Sequence, residues 1–145
     1  MLGLKKFLQK KNYIQIPLVY TATNHFEIVA KINGVPGRFI LDTGASNTCI
    51  GMDKIDFFNL TSKESEIKAA SAGITDMETM VSTKNSIEIG KWNRRKQKIV
   101  LFDLTHINKA LTSHNAMPVD GIIGADVLRK GKAIIDYRKS RVYIK

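Results

Sequence analysis

Short apolar runs separated by turn residues fill most of the chain, and this pattern predicts strands. The runs are rich in Ile, Val, Phe and Tyr and too short for amphipathic helices. Asn33-Gly34, extended by Pro36-Gly37, predicts a tight hairpin turn. The predicted strands are residues 14–20, 25–32, 38–41, 86–89, 98–102, 119–123, 133–137 and 141–144, with a hairpin over 69–81 turning near Gly73 and a polar turn at 91–95.

Few segments have the spacing of apolar residues that is typical of a helix. Residues 104–111 are the best interior candidate, and residues 125–129 predict a helical turn that ends at Gly131. The first residues, with apolar side chains at Leu4 and Phe7, are compatible with a short amphipathic helix. We therefore predict an all-β fold, a closed and mostly antiparallel barrel with one short helix near the C-terminus. It comprises residues 13–145, preceded by an extension at residues 1–12.

The composition is that of an ordinary globular domain with a strong positive charge. Hydrophobic residues make up 43% and charged residues 25% of the 145 residues, and the net charge is +10. The basic residues predict a solvated surface; nucleic acid is an unlikely partner because no aromatic interleaving or known motif accompanies them. A preference for acidic substrates stays open. No apolar run approaches membrane-spanning length, and the first residues lack a signal peptide's apolar region, so we expect no membrane association and a cytoplasmic location.

Cysteine and histidine chemistry is poorly supported. The single cysteine, Cys49, excludes an intrachain disulfide and lies in an apolar stretch, which predicts a buried structural thiol. His25, His106 and His114 show neither the context of a cysteine hydrolase nor metal-ligand spacing. We therefore predict no metal site and no cofactor.

One string carries candidate chemistry. Residues 39–41 are apolar and lead directly into Asp42, Thr43 and Gly44, followed by Ala45-Ser46. A glycine here lets the chain turn sharply, which leaves peptide groups free to hydrogen-bond the carboxylate and a substrate. By itself, a three-residue Asp-Thr-Gly sequence can occur by chance and is weak evidence for a catalytic site. An ordinary turn between strands is the alternative.

A second motif makes the interpretation of the Asp42 motif more specific. Residues 119–128 contain Ile122-Ile123-Gly124 before a short helix, about 80 positions after Asp42. With the two motifs in this order, the sequence from about residue 25 to residue 145 resembles the retropepsin-like aspartic proteases. That resemblance implies a ψ-shaped element in which Ile122, Ile123 and Gly124 support a catalytic Asp42, with Thr43 and Gly44 completing the motif.

The resemblance also implies how a peptide would be held. Ala45 and Ser46 are expected to contact substrate on the floor of the site. A hairpin flap is expected to close over it, with Ala70, Ser71, Ala72 and Gly73 at its tip, because small side chains permit close approach to a peptide. An ordinary surface hairpin is the alternative for these tip residues.

The chemistry needs two carboxylates, one acting as base on water and one protonated. The chain contains a single Asp-Thr-Gly, so the second aspartate is expected from another copy in a C2 homodimer. Thr43 would reach across to the partner's loop, as its equivalent does in the family. The C-terminal strand, residues 141–144, is a candidate for pairing at the interface.

Two departures from the viral pattern qualify the resemblance. Ser46 and Ala125 stand where viral members have an acidic residue and an arginine that brace the dimer, so that form of bracing is in doubt. Ala45 matches the retropepsin pattern, whereas pepsin-like enzymes have a hydroxyl residue there that stabilises the charged aspartate. We expect activity closer to neutral pH than pepsin's.

Three hypotheses of function follow. The first is an aspartic endopeptidase that hydrolyses peptides or proteins as a homodimer. The second is a catalytically silent peptide-binding or scaffold module of the same fold. The third, suggested by charge alone, is a nucleic-acid-associated protein, which salt-dependent binding would reveal.

Overall fold

The structure is a computed structural model that describes residues 3–61, 63–69 and 77–145. Strands predominate in the described residues. The strands are β1 (Ile14–Pro17), β2 (Val19–Tyr20), β3 (Phe26–Ile32), β4 (Val35–Leu41), β5 (Cys49–Gly51), β6 (Lys63–Ala69), β7 (Met77–Ile89), β8 (Trp92–Phe102), β9 (Gly121–Ile123), β10 (Ile134–Asp136) and β11 (Arg141–Ile144). The helices are α1 (Leu4–Lys10), α2 (Thr105–Ser113) and α3 (Ala125–Lys130), with a 3-10 turn at Met52–Lys54.

Six strands close into a barrel in the order β3, β4, β9, β5, β8 and β7. The ring is completed because β7 pairs back onto β3, with Ile32 opposite Ile87. Strands β2 and β6 extend the sheet, and β1, β11 and β10 form a separate three-stranded sheet. The predicted fold class, a closed all-β barrel with a short helix near the C-terminus, is confirmed.

Alternating side chains of the barrel strands fill its interior. On β3, Ile28, Ala30 and Ile32 are buried, whereas Val29 between them is exposed. The hairpin from β3 to β4 turns at Asn33 and Gly34, which adopt φ of 51° and 82° as a two-residue turn of this kind requires. The Asn33-Gly34 dipeptide therefore sets the register of β4 against β3 in the barrel wall.

Strand β9 lies between β4 and β5, although it begins about 80 residues after the end of β4 and about 70 after the end of β5. It runs parallel to β4, with Leu41 opposite Ile123, and antiparallel to β5, with Cys49 opposite Ile122. Consequently the loop joining β4 to β5 must cross the end of β9. This crossing is the ψ-shaped element that the sequence predicted.

Two of the predicted element boundaries are wrong. Residues 14–20 form two strands in different sheets, β1 and β2, separated at the buried Leu18. The polar turn predicted at 91–95 is instead the first part of β8, because Trp92 is buried and the chain turns one residue earlier, at Gly90, with φ of 57°. Tertiary burial of one aromatic ring outweighs the polarity of the residues that follow it.

The C-terminal strand is not available for pairing with a partner as predicted. Within the chain, β11 pairs along one edge with β1, where Val142 lies opposite Ile16, and along the other edge with β10. Both rows of backbone hydrogen-bonding groups are thus used internally. An interface strand from a second copy would have to meet β1 or β10 instead.

The hairpin expected near residues 69–81 is described only in part. Strands β6 and β7 pair antiparallel, with Ala69 opposite Met77. The predicted flap tip, Ala70, Ser71, Ala72 and Gly73, lies outside the described residues.

Among the residues that the structure describes, no helix is both long and apolar enough to cross a membrane.

We expect Gly121→Ala to destabilise the barrel. A Cβ atom at position 121 would lie 2.1 Å from the Cys49 carbonyl oxygen and 2.9 Å from the Phe39 ring, where β9 is held between its neighbours. The free energy of unfolding, measured by urea titration, should fall by about 3 kcal/mol. Gly3→Ala is the control, since a Cβ atom there meets nothing within 4 Å. Equal stability of the two variants would contradict the tight β9 packing.

Candidate active site

Asp42 follows β4 directly and begins the loop to β5. Its backbone N–H donates to the carbonyl oxygen of Ile123 at 3.0 Å, which continues the pairing with β9 for one more residue. Its side-chain Oδ1 accepts a hydrogen bond from the Gly44 N–H at 2.8 Å, and its carbonyl oxygen accepts one from the Ala45 N–H at 3.2 Å. The carboxylate is half-buried and held by its own loop.

Thr43 and Gly44 are both exposed at the tip of this loop. A Cβ atom on Gly44 would lie 3.2 Å from Asp42 Oδ1, and Gly44 does not have a positive φ. A glycine at this position therefore allows the backbone to lie close to the carboxylate, and it is not required by a left-handed turn. The Thr43 hydroxyl has no hydrogen-bond partner among the described residues. Among the described residues it therefore does not lock the loop, and it can bond to groups outside them.

The second motif supports the loop from behind. Ile122 and Ile123 point to opposite sides of β9, Ile122 into a small cluster with Ala45 and Cys49 and Ile123 into the main core. Gly124 then passes so close to the loop that a Cβ atom there would lie 2.7 Å from the Ala45 carbonyl oxygen. The next N–H along the chain donates to that same oxygen at 2.7 Å.

Thr48 and Asp126 join the two motifs by side-chain hydrogen bonds. Asp126 Oδ1 accepts from the Thr48 N–H at 2.9 Å, the Thr48 hydroxyl at 2.8 Å and the Val127 N–H at 2.8 Å. The Thr48 oxygen accepts in turn from the Gly124 N–H at 3.0 Å. Thr48 is completely buried, so these bonds fix the end of the Asp42 loop to the start of α3.

The same carboxylate is tied to the barrel wall. Asp126 Oδ2 accepts a hydrogen bond from Gln97 Nε2 at 3.1 Å, and Gln97 Oε1 accepts one from Lys130 Nζ at 2.7 Å. Sequence reasoning assigned Asp126 no role. The available signal was an acidic residue in the first turn of a short helix directly after the glycine of the second motif.

Asp120, just before β9, is a structural carboxylate. Its Oδ2 accepts from the Arg38 N–H at 2.9 Å, and Lys54 Nζ lies 3.7 Å from its Oδ1. On the outer wall of β4, Arg38 also lies 3.4 Å from the carboxylate of Glu27. Burial raises the pKa of Glu27, and the positive charge of Arg38 opposes that rise.

A cavity of about 690 Å³ opens beside Asp42. Its lining includes Ile40 on β4, Ile122 on β9 and one side of α2. Asn108 fixes α2 over this cavity, because its side chain donates to the Val119 carbonyl oxygen at 3.1 Å and accepts from the Val119 N–H at 2.8 Å. A groove of about 820 Å³ on another part of the surface does not include Asp42.

The structure thus brings the two sequence motifs together at one place. The predicted residues that meet there are Asp42, Thr43, Gly44, Ala45, Ser46, Ile122, Ile123 and Gly124. Ser46 is exposed and Ala45 is buried, and both backbone polar groups of Ala45 are used within the chain: its N–H donates to the Asp42 carbonyl oxygen and its carbonyl oxygen accepts from the Ala125 N–H. No charge pair joins positions 46 and 125, and the bond that braces the loops comes from the neighbouring Asp126 instead.

Comparison with known proteins identifies relatives of this arrangement. A sequence family described as aspartyl protease matches residues 28–127. No curated protein is similar enough in sequence to match the chain.

Several solved structures share the fold. A retropepsin-like aspartic protease from Rickettsia conorii has a TM-score of 0.61 at 22% identity, over 91% of this chain and 87% of that one. The protease of EIAV, solved with an inhibitor, has a TM-score of 0.59 at 18% identity, over 81% of this chain and 98% of that one. A retroviral protease-like domain from Leishmania major has a TM-score of 0.53 at 16% identity, over 82% and 86% of the two chains.

Asp126→Ala should destabilise the protein, because it removes the acceptor shared by Thr48 and Gln97 and leaves buried donors unpaired. We expect a loss of about 2–4 kcal/mol in the free energy of unfolding, measured by denaturant titration. Asp56→Ala is the matched control, since the Asp56 side chain is exposed and has no hydrogen bond or ion pair among the described residues. A loss no larger than that of the control would mean that the network does not hold the loop.

Cys49 should resist thiol reagents while the protein is folded. Burial, against a hydrogen bond with the backbone of Ile122 and with smaller contributions from the charges of Asp126 and Asp42, raises the pKa of its thiol to about 12. The reactive thiolate is therefore scarce at about pH 8. Labelling by iodoacetamide, followed by mass spectrometry, should require urea. Rapid labelling without denaturant would contradict the burial of this strand.

Proposed function

This chain belongs to the retropepsin-like aspartyl protease family, and we propose that it acts as an aspartic endopeptidase in the form of a homodimer. The observation that carries the proposal is the position of Asp42. Its carboxylate lies at the end of a barrel strand, is held by the Gly44 N–H, and borders an open cavity. A carboxylate so placed can act on a water molecule beside a bound peptide.

The second carboxylate is proposed to be Asp42 of the partner subunit. Among the described residues that line the cavity, Asp42 carries the only carboxylate, and Asp120 and Asp126 are occupied by structural hydrogen bonds. Around a two-fold axis, the two Asp42 side chains would share one proton because like charges this close do not both ionise. The charged one would take a proton from water, and the protonated one would polarise the scissile carbonyl.

The remaining predicted residues take supporting roles in this proposal. The exposed Thr43 hydroxyl, which lacks a partner in the described chain, would bond across the axis to the partner's loop. Ser46 would contact an extended peptide from below through main-chain hydrogen bonds, and the buried Ala45, whose own backbone groups are paired within the chain, would support the floor beneath it. Ala70, Ser71, Ala72 and Gly73 would form the tip of a closing flap. We further propose residues 13–145 as the working domain and, from the buried free thiol, a cytoplasmic location.

Cleavage of a diverse peptide library by the wild type and by Asp42→Asn tests the proposal. We expect the substitution to lower kcat about a hundred- to ten-thousand-fold, because it removes the proton-transferring group and leaves its shape. Asp56→Asn, on an exposed carboxylate away from the site, should retain wild-type activity. The assay should extend from about pH 2 to about pH 7.5, so that an optimum below about pH 3, which would contradict the expected effect of Ala45, can be detected.

The same samples test the homodimer. If each active site needs two chains, specific activity should rise with protein concentration and follow the dimer fraction measured by analytical ultracentrifugation. Equal cleavage by wild type and Asp42→Asn would assign the activity to another residue or to a contaminant. A dimeric wild type that binds peptides without cleaving them would instead identify a silent peptide-binding module.

A further inference from the structure

All three histidines of the chain line the cavity beside Asp42. They come from distant parts of the sequence. His25 lies in the turn between β2 and β3, His106 in the first turn of α2, and His114 directly after the end of α2. The fold therefore gathers every imidazole of the protein around one opening, although the sequence scatters them.

The cavity combines this polar rim with an apolar base. Ile40 and Ile122 form the base next to Asp42, and Ile107 and Leu111 of α2 add to it. No lysine or arginine lines this cavity among the described residues, and its only carboxylate there is that of Asp42. The aliphatic part of a side chain in the cavity would thus contact apolar groups, and its terminal group would contact the imidazoles.

Hydrogen bonds fix the proton on one nitrogen of His114. Its Nδ1 lies 2.8 Å from the Ala110 carbonyl oxygen, and a carbonyl oxygen only accepts hydrogen bonds. The Nδ1 atom therefore carries a proton. The other nitrogen, Nε2, has no partner among the described residues, so it can accept a hydrogen bond when the ring is neutral and donate one when the ring is charged.

His25 is held by two threonines. Its Nδ1 lies 2.9 Å from the Thr23 hydroxyl, and either atom of that pair can be the donor. Thr21 anchors the turn, because its hydroxyl oxygen accepts from the His25 N–H at 3.2 Å. The ring nitrogen Nε2 has no partner among the described residues.

Few charges compete with these rings. Besides Asp42, the charged groups on the surrounding elements are Glu27, whose carboxylate acts on His25 and pairs with Arg38, and Lys109, which lies on α2 but does not line the cavity. Positive charge prevails over the protein as a whole, with a net charge of +10, so it attracts acidic molecules. Among the described residues, no group of three His, Cys, Asp or Glu side chains is suited to hold a metal ion.

We propose that this cavity selects peptides that carry an acidic side chain beside the scissile bond, and that His25, His106 and His114 recognise its carboxylate. The stem of a glutamate packs against the apolar base, while its carboxylate accepts hydrogen bonds from imidazole N–H groups. Because histidine is the side chain that gains a positive charge within the mildly acidic range, the preference strengthens as the pH falls. The assignment of a scissile bond rests on the proposed function, whereas carboxylate recognition does not.

Paired peptides that differ only by Glu or Gln next to the cleaved bond test the selection. We expect kcat/KM to favour Glu about tenfold at about pH 5.5 and much less at about pH 7.5, because an imidazole whose proton lies on Nδ1 donates from Nε2 only when the ring is charged. The variants His25→Asn, His106→Asn and His114→Asn retain an amide N–H near the position of Nδ1 and remove Nε2. Each should move the Glu-to-Gln ratio towards one. Lys109→Gln is the control, because it removes a charge from α2 outside the cavity, and it should leave the ratio unchanged.

Binding of the same peptides to Asp42→Asn separates this proposal from the proposed function. The readout is the dissociation constant from isothermal titration, which needs no turnover. Tighter binding of the Glu peptide that is lost in the histidine variants supports the cavity assignment, even if the wild type cleaves nothing. Equal binding of the two peptides, a preference that the histidine variants retain, or no binding of either peptide would overturn it. Cleavage by the wild type without a Glu preference would overturn it and leave the protease function intact.

Discussion

The structure depends on the close approach of three backbones where β9 lies between β4 and β5. At Gly121 and Gly124 the neighbouring carbonyl oxygens come so near that a single Cβ atom would collide with them. Such contact leaves no room for adjustment, so the loop that begins at Asp42 has its path set by the strand beneath it. The candidate catalytic carboxylate owes its position to this crossing.

A polar network within one chain holds this loop in place, next to the positions where the viral pattern has a charge pair that braces the dimer. Asp126 accepts four hydrogen bonds, from Thr48, Val127 and Gln97, and all of its partners belong to the same chain. A buried acceptor with all its donors in place fixes one arrangement, because any alternative leaves a polar group unpaired. The loop of a single chain is thereby held by that chain's own residues, and β11 has both edges paired internally.

The cavity beside Asp42 illustrates how a family fold acquires its own selectivity. Its base is made by the apolar residues that the barrel needs in any case, Ile40 and Ile122. Its rim is made by the β2–β3 turn and by the exposed residues of α2, whose side chains do not fill the core and can change without loss of the barrel. Histidines at that rim supply hydrogen bonds whose strength depends on pH.

The closed all-β class, the Asn33-Gly34 hairpin and the two motifs around Asp42 and Ile122-Ile123-Gly124 could be predicted from the amino-acid sequence, because turn chemistry and strand alternation are local properties. The division of residues 14–20 between two sheets, the extension of β8 to Trp92 and the lack of a free edge on β11 could not, since each depends on what packs against the segment. The role of Asp126 and the meeting of the three histidines were likewise invisible in the sequence. Both arise from contacts between residues up to about 90 positions apart, which no local pattern records.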